Sequence, residues 1–240
     1  MPLLQPVRRA QPLALLPLDL FTGDAPIVVD PVYAKADHPD NIFKNLYHPN
    51  ARLFAHARLV PVILRAAQLL HERTGWHLKI NDCFRPIEAQ QRMAGYHLPP
   101  ELVLAPGCGG HPRGMAVDVQ PVMADGTLVD MGTPFDFFTD DLNMNPAARY
   151  ARNHSETILN NRRQLDRAMF DAAKACGEAL IGFPEEWWDY RFPACVYEAY
   201  EPGVESALPA AYHMVGAPAQ PDAALAAAWQ AQRQQILAKF

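Results

Sequence analysis

The sequence predicts an α+β fold, and three observations carry that prediction. Apolar residues recur at helical spacing in two long stretches, roughly 51 to 74 and 156 to 176. Short alternating or apolar runs between and after them read as strands. Turn signals separate these pieces, and no strand–helix–strand unit repeats, which argues against a doubly wound parallel sheet. No GxGxxG follows a strand and no Walker loop occurs, so nothing points to a nucleotide cofactor.

Taken in order, residues 1 to 40 read as an irregular, Pro-rich arm. Arg8 and Arg9 followed by Leu13 to Leu20 imitate a leader peptide, but Pro12, Pro17 and Asp19 interrupt the apolar stretch. The first helix carries Leu53, Phe54, Val60, Ile63, Leu64, Ala67 and Leu70 on its apolar face. Gly75 marks its end, and Pro61 means that it is kinked or starts near that residue. Trp76 to Asn81 alternates as a strand with Leu78 and Ile80 on one face. Pro86 opens a short polar helix through Met93. Gly107 to Gly114 is loop, Met115 to Val119 a short apolar strand, and Asp125-Gly126 a turn. The second long helix runs from Glu156 to Cys176, with Gly177 as its stop. Val196 to Tyr200 reads as a further strand. Residues 206 to 240 form an extension in which Asp222 to Phe240, carrying Leu225, Trp229 and Leu237, is a helix that docks on the body.

Composition sets outer limits. The 240 residues suit one domain with tails, half of them hydrophobic. A net charge of -5 with no long run of one sign gives no nucleic-acid or anionic-membrane surface. No window approaches the ~20 apolar residues of a spanning helix. Cys83, Cys108, Cys176 and Cys195 form no CxxC pair and read as free thiols of a reducing compartment, which favours cytoplasm over periplasm.

Four clusters carry chemistry. His111 and Asp118 are seven apart, in Gly110-His111-Pro112-Arg113-Gly114-Met115-Ala116-Val117-Asp118. A straight strand would point them to opposite faces, but the loop at Gly114 can turn His111 back. Both donor types suit zinc, and Asp118 is a charge inside an apolar run that needs compensation. Glu185-Glu186-Trp187-Trp188-Asp189-Tyr190 places carboxylates beside two tryptophans that would wall them from water and raise a carboxyl pKa. Arg85, in Asp82-Cys83-Phe84-Arg85-Pro86, offers a fixed fork of donors to an anion. Asp136, between Phe135 and Phe137, could receive an ammonium group. Taken singly, each cluster also fits a plain structural role: a loop histidine, an acidic turn, a salt bridge, a capping aspartate.

In this order and spacing the four clusters resemble the D-alanyl-D-alanine dipeptidases of the VanX type, zinc peptidases of the fold shared by hedgehog domains and bacterial D,D-peptidases. The family pattern reads approximately GYRP, then SxHxxGxAxD, then DMGTxFD, then EWWH. Here it is met by Cys83 to Pro86, Gly109 to Asp118, Asp130 to Asp136 and Glu186 to Asp189. The resemblance spans about residues 41 to 200 and implies a dipeptidase-like catalytic domain over 41–205, a single domain with a central antiparallel sheet flanked by helices. It implies His111, Asp118 and the residue at 189 as ligands of Zn²⁺, with Mn²⁺ or another divalent ion as alternatives. Glu186 would be the general base for a metal-activated water, Arg85 the oxyanion stabiliser and Asp136 the holder of the substrate amino terminus. The expected substrate is a small D-amino-acid dipeptide, D-Ala-D-Ala from cell-wall precursors, with no nucleic-acid partner and no membrane insertion.

Two departures from the pattern matter. The family's third histidine ligand is Asp189, and its first serine is Gly109. Asp189 could bind the ion itself, giving an oxygen-rich site less selective for zinc. It could support another histidine such as His154 or His213. Or the site could be metal-free, the chain being a binding protein for a peptide or peptidoglycan fragment on the same fold.

Overall fold

The computed structural model describes residues 11–220 and 223–239. Its strands are β1 (Leu15–Pro17), β2 (Ile27–Val29), β3 (Phe54–His56), β4 (His77–Asp82), β5 (Ala116–Val122), β6 (Ile181–Gly182) and β7 (Asp189–Arg191). Five of them form one sheet in the order β2–β4–β5–β7–β6, and β1 pairs with β3 in a separate ribbon. The sheet is antiparallel except at one edge, where β2 runs parallel to β4. The helices are α1 (Leu59–Thr74), α2 (Ile87–Ala94), α3 (Glu156–Ala175), the single turn α4 (Ala194–Tyr197) and α5 (Ala223–Leu237). α1 packs on β4 and against α3, through faces that bury Ile63, Ala67 and Leu70 on one and Leu165, Met169 and Ala172 on the other. This is the α+β class, one domain with helices flanking a sheet.

The local causes are legible. α1 ends where Gly75 adopts φ +75° and donates its N–H to the His71 carbonyl, a left-handed stop that glycine adopts without strain. α3 begins at Ser155, whose side chain accepts from the Ile158 N–H.

Three sequence expectations need correction. The first helix does not reach back to residue 51. Residues 54–56 form β3, and α1 starts at Leu59, which makes Pro61 its third residue, among the N–H positions that have no acceptor inside a helix. Val196 to Tyr200 is not a strand. Pro193 starts a helical turn instead, with the Tyr197 N–H bonded to its carbonyl. The arm of residues 1 to 40 is not irregular throughout. β1 and β2 lie in it, and Leu16, Leu18 and Phe21 join the core. Strands of three residues are too short for alternation to register. Arg8 and Arg9 lie outside the described residues.

Among the described residues no helix is long and apolar enough to cross a membrane. α5 is held by Trp229, buried 4.7 Å from the Tyr212 ring and 5.7 Å from Phe54, and by Arg233 bonded to Asp24. Trp229→Ala is expected to cost about 3 kcal/mol of stability and to open the α5 segment to limited proteolysis. Denaturant titration and a protease time course read both effects.

A pH effect arises at β3. The His56 Nδ1 accepts from the Arg58 N–H, leaving the proton on a buried Nε2 that has no hydrogen-bond partner among the described residues. Burial first, then the Arg58 guanidinium, lower this imidazole from 6.5 to about 4. Protonation therefore favours the unfolded chain: the contribution is complete above pH 6.5 and is lost as pH falls towards 4. The melting temperature should fall more steeply across that window in the parent protein than in His56→Gln.

Candidate active site

Strand register places three aspartates side by side. Asp82 at the end of β4 faces Asp118 on β5, and Asp118 faces Asp189 on β7. Directly opposed residues on neighbouring strands share a face, so three carboxylates stand in a row across the sheet. All three are nearly inaccessible to solvent. Like charges so placed demand cations.

His111 closes over the row. It sits in a 3₁₀ turn, His111–Arg113, that ends at Gly114 with φ +62°. A Cβ on Gly114 would come within 2.8 Å of Leu15 Cδ2 and 2.9 Å of the His56 nitrogen, so the turn that brings the histidine back requires glycine. The His111 Nδ1–H donates to the Cys83 carbonyl at 2.7 Å. That bond directs Nε2 at the carboxylates, 3.3 Å from Asp189 Oδ2 and 3.5 Å from Asp118 Oδ1. Burial opposes a charge on this imidazole, but Asp118 and then Asp189 outweigh it and push it up to about 10.

Two arginines complete the balance. Arg85 reaches Asp82 Oδ2 with Nε at 2.8 Å and Asp118 Oδ2 with Nη2 at 3.4 Å, its guanidinium 5.4 Å from the Tyr33 ring centre. Asp82 Oδ1 accepts from the Tyr47 hydroxyl at 2.8 Å. Arg191, two residues beyond Asp189 on the same strand, bonds Asp189 Oδ1 through Nε at 2.8 Å and Oδ2 through Nη2. Burial alone would raise the Asp189 carboxyl, yet Arg191 and His111 hold it below the ordinary carboxylate range. The Asp118 carboxyl is raised by burial against the pull of His111.

Glu186 and Asp136 border the same space. Glu186 lies in the turn before β7, whose backbone is held by Arg149 bonds to the carbonyls of Glu186 and Asp189. Its carboxyl accepts no hydrogen bond from the described residues, and burial, then Asp189 and Asp118, raise it well above the usual range. Asp136, at φ +54°, accepts from the Tyr33 hydroxyl at 2.7 Å and is raised well above its usual value by burial. The two tryptophans part company. Trp188 lines the pocket, packed edge-on against Phe135, while Trp187 turns away and donates to Thr133.

One narrow pocket is lined by Arg85, His111, Asp118, Asp136, Glu186 and Asp189, all six residues that sequence reasoning singled out. His154 and His213 do not line it, and His154 bonds the Pro146 carbonyl instead. Sequence reasoning missed Asp82, Tyr33 and Arg191. Arg191 could have been found, since residues two apart on a strand share a face. Tyr33 and Asp136 are 103 residues apart, and nothing local announces their bond.

A divalent cation fits these residues. Asp118 Oδ1 is buried and accepts no hydrogen bond from the described residues, with His111 Nε2 as a charged neighbour at 3.5 Å. Asp82, His111 and Asp118 bring donor atoms within 4.8 Å of one another, and Asp189 adds another carboxylate at the His111 Nε2. One imidazole and several carboxylates form a hard, oxygen-rich donor set.

A buried donor set of this kind beside a separate glutamate and an arginine is a layout that metal-assisted hydrolysis can use. More particularly, the chain belongs to the D-ala-D-ala dipeptidase family, peptidase M15, whose family model matches residues 14–206. It is similar to the D-alanyl-D-alanine dipeptidase of Escherichia coli K12, with 25% identity over 156 residues, 64% of this chain and 74% of that protein. Among solved structures it is similar to the L-Ala D-Glu endopeptidase of Serratia marcescens, at TM-score 0.38 and 17% identity, covering 60% of this chain and 84% of that one.

Proposed function

We propose that this chain hydrolyses a small D-amino-acid dipeptide, D-Ala-D-Ala, in a reaction that depends on a divalent metal ion. The observation that carries this reading is the meeting, in one pocket, of residues from four separated motifs, with Asp118 Oδ1 buried 3.5 Å from His111 Nε2 and accepting no hydrogen bond from the described residues. His111 and Asp118, with Asp189 or Asp82 beside them, would hold the ion, which when bound polarises the scissile carbonyl and acidifies a water. Zn²⁺ suits the imidazole, and the carboxylate excess also admits Mn²⁺. Glu186, whose carboxyl accepts no hydrogen bond from the described residues and is kept basic by its buried, anionic surroundings, takes a proton from the attacking water and returns it to the leaving amine. Arg85 faces the same pocket and offers N–H groups to the developing oxyanion. Asp136, oriented by the Tyr33 hydroxyl, takes the substrate ammonium group.

The Asp189–Arg191 pair favours a second reading. An Asp189 already bonded at both oxygens gives less to an ion, and the protein could then bind a peptide or peptidoglycan fragment without turnover. Incubation of purified protein with D-Ala-D-Ala and Zn²⁺ or Mn²⁺ separates the two. The dipeptidase reading expects released D-alanine, its loss on chelation and its return on adding metal. Binding of D-Ala-D-Ala without release under either metal would establish the second reading.

A further inference from the structure

Two of the positions at which the chain departs from its family pattern, Gly109 and Asp189, both abut Arg191. Asp189 holds the guanidinium by its Nε and Nη2 edge, and the Phe183 ring lies 4.1 Å from the guanidinium carbon. With one edge bonded and one face covered, the fork is fixed in place, its side chain only 10% exposed. Nη1 makes no hydrogen bond to the described residues. It points toward Gly109, where an added Cβ would stand 3.8 Å from it and 2.8 Å from Leu104 Cδ1. Gly109, Leu104 and Arg191 all line the pocket that holds His111, Asp118 and Glu186. The missing side chain therefore leaves a pre-oriented, buried N–H edge open to whatever enters.

We propose that Arg191 is the specificity-determining residue of this pocket: its Nη1 edge, open above Gly109, anchors the free carboxylate of a small peptide or acylated amino acid. A fixed guanidinium edge recognises carboxylate through charge-assisted hydrogen bonds, and little conformational entropy remains to be lost on binding. The peptide part of this assignment rests on the dipeptidase reading, whereas the carboxylate part does not. A neutral amide in the same place presents an NH₂ group to a donor edge and loses the charge, so discrimination of acid from amide is the signature.

The test compares N-acetyl-D-alanine and D-Ala-D-Ala with their C-terminal amides, by calorimetric titration of the full chain with and without Zn²⁺ and by KM where turnover occurs. The parent protein should bind both acids at least about tenfold more tightly than the amides, the difference of one lost charge-assisted bond. Arg191→Gln should erase that preference, and Arg191→Lys should keep part of it. A merely structural role would lower stability without moving the acid-to-amide ratio. Should Arg191→Gln fail to fold, the ratio in the parent protein and in Arg191→Lys decides. Equal binding of acid and amide by the parent, or no binding of either acid, overturns the assignment even if D-Ala-D-Ala is hydrolysed. If N-acetyl-D-alanine binds with the expected dependence while no dipeptide is cleaved under any metal, the anchor stands and the dipeptidase reading falls.

Discussion

Glu186→Gln is expected to cut turnover of D-Ala-D-Ala by about 10³-fold while leaving the bound metal in place. The substitution keeps shape and hydrogen-bonding capacity but removes the ability to take a proton. Glu186 is 6% exposed, and its turn is fixed through backbone carbonyls bonded by Arg149 rather than through its own side chain. The variant should therefore fold normally and retain metal by elemental analysis. A glutamine variant with turnover within about threefold of the parent would remove Glu186 from the role of base. One that lost its metal would make Glu186 part of the donor set instead.

The second large effect concerns the buried pair beside it. Asp189→Ala is expected to cost about 3 to 5 kcal/mol of stability, because it leaves the Arg191 guanidinium buried without its partner. Arg191→Ala should cost a comparable amount, since Asp189 then faces Asp118 with only His111 between them. The double variant should cost less than the sum of the two, and urea titrations of the four proteins give the coupling directly. Additive losses would mean that the pair is held by its surroundings rather than by mutual attraction. Metal content of the same proteins discriminates further. Loss of the ion in Asp189→Ala makes Asp189 a ligand, and full retention assigns the third carboxylate to Asp82, within reach of His111 and Asp118.

What the sequence announced and what it concealed divide along a physical line. The motif residues were legible because each chemically distinctive group lies within a few positions of another, as His111 does of Asp118 and Glu186 of Asp189. α1 and α3 are long enough for helical periodicity to accumulate, and Gly75 marks the end of α1 by its backbone preference. β1, β2 and β3 have three residues each, and nothing in such a run distinguishes strand from loop until it finds a partner. Asp82 was concealed for a related reason: its neighbour is Asp118, 36 positions on, and only pairing of β4 with β5 makes them adjacent. Gly109 and Asp189 were visible as departures from a pattern, but Arg191, which joins them, was not, because the pattern carries no information about space.

The row of aspartates has a consequence for how the chain checks itself. Side chains on a strand alternate between faces, so a slip of one residue by β5 or β7 would send Asp118 or Asp189 to the opposite side of the sheet and scatter the donors. A divalent ion held by these donors would then favour the aligned strands over slipped ones. It would stabilise that alignment by about 2.7 kcal/mol when present at a hundredfold excess over its dissociation constant. Metal supply would thus act as proofreading of strand alignment, and a chain that paired wrongly would be distinguished from a correct one by its failure to gain thermal stability when the ion is added.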